Sequence, residues 1–121
     1  MAELFVCKVG EISNGDVRII GEAGRRIGVI MHGGKYFAYR NQCPHQGGPV
    51  CEGLKLPQVE DIVDDAGLLV GQQFNENDIH IVCPWHGYEY HLDTGEHVVD
   101  ASVKLTKYDV LTRDGGVYVV A

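Results

Sequence analysis

Two short stretches constrain this chain more than anything else in it. "NQCPHQGG", residues 41–48, sets Cys43 and His45 on either side of Pro44, and "VCPWHGYEY", residues 82–90, nearly repeats the arrangement with Cys83, Pro84, Trp85 and His86. Each stretch follows a β-prone run and offers one thiol and one imidazole on a backbone stiffened by proline. Gly47, Gly48 and Gly87 lie among these residues and give the backbone the freedom to let two loops approach closely.

Two cysteines and two histidines could hold zinc tetrahedrally. Zinc sites of that composition usually take both cysteines from one C-x-x-C knuckle and both histidines from elsewhere, whereas here each loop supplies one of each. That division suits a binuclear iron cluster, in which one iron takes two thiolates and the other two imidazoles. Zinc stays open as the alternative.

The rest of the chain reads as short β-prone runs between turns: "LFVCKV" at 4–9, "VRII" at 17–20, "RIGVIM" at 26–31, "YFAYR" at 36–40, "IHIV" at 79–82, "YEYHL" at 88–92, "LTKYDVL" at 105–111 and "VYVV" at 117–120. The dipeptides Asn14-Gly15, Gly33-Gly34, Thr94-Gly95 and Asp114-Gly115 punctuate them, and the last is a strong hairpin signal. The expected fold class is all-β, an antiparallel β-sandwich or barrel, with one domain spanning 1–121. Residues 53–78 interrupt the pattern: no alternation persists there, and "PQVEDIVDDAG" predicts a short helical turn between Pro57 and Gly67. From Glu52 to Asp78 this excursion holds seven acids (Glu52, Glu60, Asp61, Asp64, Asp65, Glu76, Asp78) against Lys55, a local net of −6 within a chain net of −7.

Charge and hydropathy exclude several functions. Nucleic-acid binding needs clustered Lys and Arg, and Arg25-Arg26 is an isolated pair in an acidic chain whose surface suits a basic protein partner better. No apolar run reaches the length of a membrane span, and "MAELFVCKVG" lacks the form of an export signal, so no membrane association and a cytoplasmic location are expected. In that compartment Cys7, Cys43, Cys51 and Cys83 are expected as thiols or metal ligands rather than disulfides.

Taken together, C-P-H and C-P-W-H-G-Y-E-Y look like the paired motif of the Rieske [2Fe-2S] proteins. The likeness extends to "GGKYFAYRNQCPHQGGPVCEG", which resembles the approach strand and first cluster loop (about 41–53) of Rieske ferredoxins, to "IVCPWHGYEYHLDTGE", which resembles their second loop (about 82–91), and to "LTKYDVLTRDGGVYVV", which resembles their closing hairpin. It covers most of the chain apart from roughly 54–78, where such ferredoxins usually have a much shorter connection than the 37 residues between His45 and Cys83. The resemblance implies a small cluster-binding subdomain on the β scaffold. It further implies one [2Fe-2S] cluster with Cys43 and Cys83 on the inner iron and His45 and His86 on the outer, solvent-facing one, and Gly48, Trp85, Gly87, Tyr88 and Tyr90 around it. Such a cluster carries zero net charge oxidised and −1 reduced, and its imidazoles hold the potential within about −150 to +300 mV. High-potential relatives carry an extra cysteine in each loop and a serine after the second His-Gly. Gly48, Trp85 and Tyr88 stand there instead, so the low part of the range is expected. Tyr90 cuts the other way, since a tyrosine at that place bonds a ligand sulfur in the high-potential proteins; as a strand aromatic it is equally a core residue.

The other side chains carry plainer expectations. Cys7 reads as a buried apolar thiol and Cys51 as packing near the first loop. His91, Asp93 and His97 faintly resemble a two-histidine, one-carboxylate iron triad but read better as surface strand residues flanking a turn, and His32 and His80 have no visible partner. A further catalytic domain, a membrane anchor and a G-x-G-x-x-G phosphate motif are all missing from the sequence read as a whole. The resemblance therefore implies a soluble one-electron carrier, catalysing no bond making itself, that accepts electrons from an NAD(P)H-dependent flavin reductase and delivers them to a terminal, aromatic-ring-hydroxylating oxygenase. The alternatives are a small Rieske subunit of an assimilatory nitrite reductase and a zinc-holding structural or binding domain. For the acidic excursion, either a solvated surface or a docking element for a basic partner is expected.

Overall fold

The computed structural model describes residues 3–21, 25–44, 47–85 and 87–121, and in the long hairpin below the side chains of residues 58, 59, 74 and 76 are outside the description. Among the described residues nine strands follow in chain order: β1 (Glu3–Lys8), β2 (Val17–Ile20), β3 (Ile27–His32), β4 (Lys35–Arg40), β5 (Leu54–Val63), β6 (Leu69–Val82), β7 (Glu89–His91), β8 (Lys107–Arg113) and β9 (Gly116–Val120). A 3-10 turn, Val50–Glu52, lies between β4 and β5. The all-β expectation holds.

Six strands form one antiparallel sheet in the order β1-β9-β8-β4-β3-β2, and β5-β6-β7 form a second, smaller one. Tight hairpins set the register of the large sheet. Gly33 and Gly34 take φ of +59° and +79° between β3 and β4, and Asp114 and Gly115 take +49° and +76° between β8 and β9. Positive φ at both central residues matches the right-handed twist of the flanking strands. Val6 and Cys7 of β1, Ile27 and Val29 of β3, Ala38 of β4, and Val117 and Val119 of β9 share one core, so the sheet curls until distant strands face each other and is nearly closed.

Strands β3 and β4 are buried on both faces. Ile27, Val29 and Ala38 point into the barrel, while their alternate neighbours Ile30 and Tyr39 belong to a second core with Cys43, Val50, Cys51, Ile79, Ile81, Cys83, Tyr90, Leu92 and Leu105. Gly28, paired with Tyr39, is part of that second contact: a Cβ there would lie 2.2 Å from Cys51 Cβ. Each fully buried Val or Ile contributes about 1.5–3 kcal/mol, so the small sheet is fixed to the barrel mainly by this shared apolar layer.

The expected helical turn between Pro57 and Gly67 is absent. Residues 54–63 instead pair with 69–82 in an antiparallel arm that runs from Leu54 opposite Val82 to Val63 opposite Leu69, with a register irregularity at Pro57, which has no N–H to donate. "DDAG" builds the tip: Asp64 Oδ1 accepts from the backbone N–H groups of Ala66 (2.9 Å) and Leu68 (3.0 Å), and Gly67 takes φ +80°. Residues 61–70 are all exposed, so neither face is selected to be apolar and no alternation marks the strands.

Candidate metal centre

The first loop leaves β4 at Asn41 and is closed on itself by two backbone hydrogen bonds, Cys43 N–H to Gly48 C=O (2.8 Å) and Gly47 N–H to Cys43 C=O (2.7 Å). Gly47 takes φ +78°, which a side chain would strain. Asn41 braces the loop from behind, with Oδ1 accepting from Cys51 N–H (2.9 Å) and Nδ2 donating to Glu52 (3.0 Å). The second loop leaves β6 at Val82 and closes through Cys83 N–H to Tyr88 C=O (2.7 Å), with Gly87 at φ +70°.

The loops touch at Gly48, where a Cβ would come 2.8 Å from Trp85 Cγ, so the indole lies directly on the first loop. Lower down, a Cβ on Gly53 would lie 1.7 Å from Val82 C=O. Two glycines thus allow the two backbones to come together. Cys43 and Cys83 are unpaired thiols with exposures of 2% and 1%, and they lie close enough for a hydrogen bond between them. Burial pushes the Cys83 thiol above its ordinary pKa, and the hydrogen bond with Cys43 adds to the effect. A buried thiolate pair needs cationic partners, and two such sulfurs at the base of two loops fit the thiolate half of a metal centre. His45 and His86 lie outside the described residues. The loop edge facing solvent carries the exposed Pro44, Trp85 and Gly87.

Tyr90 lies in the middle of β7. It is fully buried in the second core, and its hydroxyl lies 3.0 Å from Cys43 Sγ. Its ring meets His97 edge-on at 5.4 Å, and Tyr88 meets the same imidazole edge-on at 5.3 Å. Cys51 packs as expected: its Sγ approaches Tyr39 C=O (3.5 Å), and burial raises its pKa to about 12. Cys7 is buried in the barrel core.

The faint triad of His91, Asp93 and His97 does not assemble. His97 Nδ1 accepts from Val99 N–H (3.1 Å) and Asp100 N–H (3.2 Å), and Asp93 is exposed. His91 turns instead to Asp78, at 2.9 Å. His80 also has neighbours, contrary to expectation: Asp78 and Glu89 carboxylate oxygens each lie 3.3 Å from its ring nitrogens. Only the pairing of β6 with β7 reveals this grouping, and its trace in the sequence is D-x-H at 78–80 followed by E-x-H at 89–91.

Comparison with known proteins decides the family. Residues 2–109 match the Rieske [2Fe-2S] domain. This chain belongs to the Rieske [2Fe-2S] family. It is 27% identical, over 98% of its length and 94% of the relative's, to the 3-phenylpropionate/cinnamic acid dioxygenase ferredoxin subunit of Photorhabdus laumondii. A chain from the complex of reduced oxygenase and oxidised ferredoxin in carbazole 1,9a-dioxygenase superposes with a TM-score of 0.71 at 22% identity, covering 98% of this Rieske chain and 92% of that one. A protein assigned as the NADH-dependent nitrite reductase small subunit of Mycobacterium tuberculosis superposes with a TM-score of 0.69 at 19% identity, covering 99% and 96%. The last two likenesses establish the Rieske fold. Membership of the family gives the chain a [2Fe-2S] cluster of the type that two cysteines and two histidines hold. Among the described residues no helix is long and apolar enough to cross a membrane.

Proposed function

We propose that this protein is a one-electron carrier that takes electrons from an NAD(P)H-dependent flavin reductase and passes them to a terminal oxygenase of the aromatic-ring-hydroxylating kind. In this reading Cys43 and Cys83 bind one iron and His45 and His86 the other. The carrying observation is the asymmetry of the centre: two unpaired cysteines buried at the base of the loops, one held by Tyr90, beneath an edge that Pro44, Trp85 and Gly87 leave open. Sulfur is shielded from solvent and oxidation while the opposite edge is open to a partner. The similarity to a dioxygenase ferredoxin subunit over nearly the full length of both chains supports an oxygenase as acceptor. Four unpaired cysteines suit the reducing cytoplasm.

The residues of this chain contribute placement and hydrogen bonding, and the cluster supplies the one-electron chemistry. Gly48 and Gly53 let the loops meet, and with Cys43 bound as a thiolate, which has no proton to give, the Tyr90 hydroxyl is the donor of their hydrogen bond. The test is electron paramagnetic resonance of the dithionite-reduced protein with a potentiometric titration. A rhombic signal with a midpoint in the lower part of about −150 to +300 mV is expected. A colourless, zinc-containing and silent sample overturns the reading. The nitrite reductase alternative rests on a fold likeness at 19% identity, and rapid reoxidation of the reduced protein by a ring-hydroxylating oxygenase, but not by a nitrite reductase large subunit, separates the two.

A further inference from the structure

Away from the four expected cluster ligands, β6 and β7 present four ionisable side chains on one face. Asp78 and His80 stand two apart on β6, Glu89 and His91 stand two apart on β7, and His80 is paired directly opposite His91. The two-residue period of a strand sends all four to the same side. His91 Nδ1 lies 2.9 Å from Asp78 Oδ1, and His80 Nε2 lies 3.3 Å from that same oxygen. On the far side of the His80 ring, Nδ1 lies 3.3 Å from Glu89 Oε1. The two imidazoles meet edge to face with centroids 4.9 Å apart.

His80 is the informative member. It is 4% exposed, and its Nε2 is shut off from solvent with no hydrogen-bond partner despite the nearby carboxylate. With Nδ1 against Glu89, the ring proton belongs on Nδ1 and Nε2 presents a lone pair. Asp78 Oδ1 lies 3.3 Å away but off the axis of that nitrogen, so the two atoms form no hydrogen bond. A nitrogen lone pair sealed from water and unpartnered beside a carboxylate oxygen 3.3 Å away is unfavourable alone, and a cation within reach of both atoms satisfies them.

The geometry points to a second metal site, in which a divalent transition-metal ion of the zinc type is bound by the Asp78 carboxylate, His80 Nε2 and His91 Nδ1. The three ligand atoms all lie within 4.8 Å of one another. Tetrahedral zinc with bonds of about 2.0–2.1 Å sets its ligands about 3.3–3.4 Å apart, which matches the 3.3 Å from Asp78 Oδ1 to His80, while the 2.9 Å to His91 is a hydrogen-bond distance that lengthens when the ion enters. A modest turn of the His91 ring, whose side chain is 33% exposed, closes the remaining gap between the histidines. His91 then carries its proton on Nε2, and Nδ1 is free to coordinate. Glu89 takes the position of a carboxylate behind a metal-bound histidine, fixing the tautomer and orientation of His80. Two imidazoles and one carboxylate favour zinc or ferrous iron over magnesium or calcium, which prefer oxygen throughout. Asp78 and His91 are about one-third exposed, so the ion has access from solvent and water can complete its coordination. The bound ion joins β6 to β7, the strands on either side of the second cluster loop.

The test uses protein loaded with its cluster, with iron and sulfide counted beforehand. Zinc sulfate is titrated calorimetrically in a weakly coordinating buffer, and the metal retained after gel filtration is measured by mass spectrometry. One zinc per chain is expected, with iron content and the visible spectrum of the cluster unchanged. Asp78→Asn and His91→Gln are each expected to weaken zinc binding at least tenfold, Glu89→Gln by about 10–100-fold through His80, and His32→Gln not at all. No retained zinc, zinc uptake matched by loss of iron, or equal affinity in the Asp78 and His91 variants each overturns the site. Should Asp78→Asn fail to load its cluster, His91→Gln decides, because glutamine keeps a polar side chain at a partly exposed strand position.

Discussion

Replacing Tyr90 by phenylalanine isolates one hydrogen bond to Cys43, the sulfur proposed as a cluster ligand. The hydroxyl lies 3.0 Å from Cys43 Sγ, and the exposures of Tyr90 and Cys43 are 0% and 2%, so no water can take its place once the oxygen is removed. The ring stays where it is, held by the pairing of Tyr90 with Ile81 and by the edge contact with His97. A hydrogen bond to a charged acceptor is worth about 1.5–3 kcal/mol and one to a neutral acceptor about 0.5–1.5, so a donor to sulfur favours the more negative reduced state by about 1–1.5 kcal/mol. For a one-electron couple, 59 mV corresponds to about 1.4 kcal/mol, which converts this preference to about 40–65 mV. Tyr90→Phe is therefore expected to lower the midpoint potential by that amount while keeping full iron content and the same rhombic resonance. The assay is a potentiometric titration of both proteins in the same buffer. A midpoint unchanged or raised in a fully loaded variant refutes the argument and leaves Tyr90 as packing alone.

Three further outcomes follow from the same structure. If the acidic arm steers a basic partner, Asp61→Asn with Asp65→Asn flattens the ionic-strength dependence of electron-transfer rates, whereas an unchanged slope removes the arm from docking; Asp64 is best left intact because its carboxylate builds the turn. Gly28→Ala drives a Cβ to 2.2 Å from Cys51 Cβ and is expected to destabilise the fold by about 1–3 kcal/mol in urea unfolding, with rescue by Cys51→Gly but not Cys51→Ala; wild-type stability contradicts the packing account. Cys51, whose pKa burial raises to about 12, stays protonated through neutral and mildly alkaline pH, with a thiolate fraction of about 10⁻⁴ at pH 8 by the usual one decade per pH unit. In native, cluster-loaded protein it is expected to resist iodoacetamide, and prompt alkylation there speaks against its burial.

What the sequence disclosed and what it hid divide along physical lines. Asp114-Gly115 and Gly33-Gly34 announced their hairpins because a turn's φ requirement is met by the turn residues themselves. The two loops stood out because metal ligation, the role proposed for them, demands particular side chains at short spacing, and the burial of Cys7 and Cys51 followed from their apolar surroundings. The arm escaped because strand recognition depends on one face being buried, and residues 61–70 bury neither, so Val63, Leu69 and Val70 show no alternation with polar neighbours. His80 and its neighbours escaped for a different reason. Asp78, His80 and His91 meet only through the register of β6 against β7, and no local window of sequence contains that register.

The arm's construction explains how so long a connection can sit between the two loops without disturbing them. Its base is the pair of strands that carries them: β5 begins one residue after Gly53, where the first loop's 3-10 turn ends, and β6 ends at Val82, next to Cys83. At that base Ile79 and Ile81 are buried in the core that holds both cysteines, whereas beyond the irregularity at Pro57 the strands chiefly pair with each other. Pairs such as Asn75 with Glu60 (2.8 Å) and Gln72 with Asp61 (3.0 Å) satisfy the polar groups within the arm itself. A hairpin extended in register adds closure entropy only slowly, since doubling a loop costs about 0.6 kcal/mol, and the added cross-strand pairs offset part of it. The length of the arm can therefore change without moving Leu54 from opposite Val82, which is the pairing that keeps the loops together.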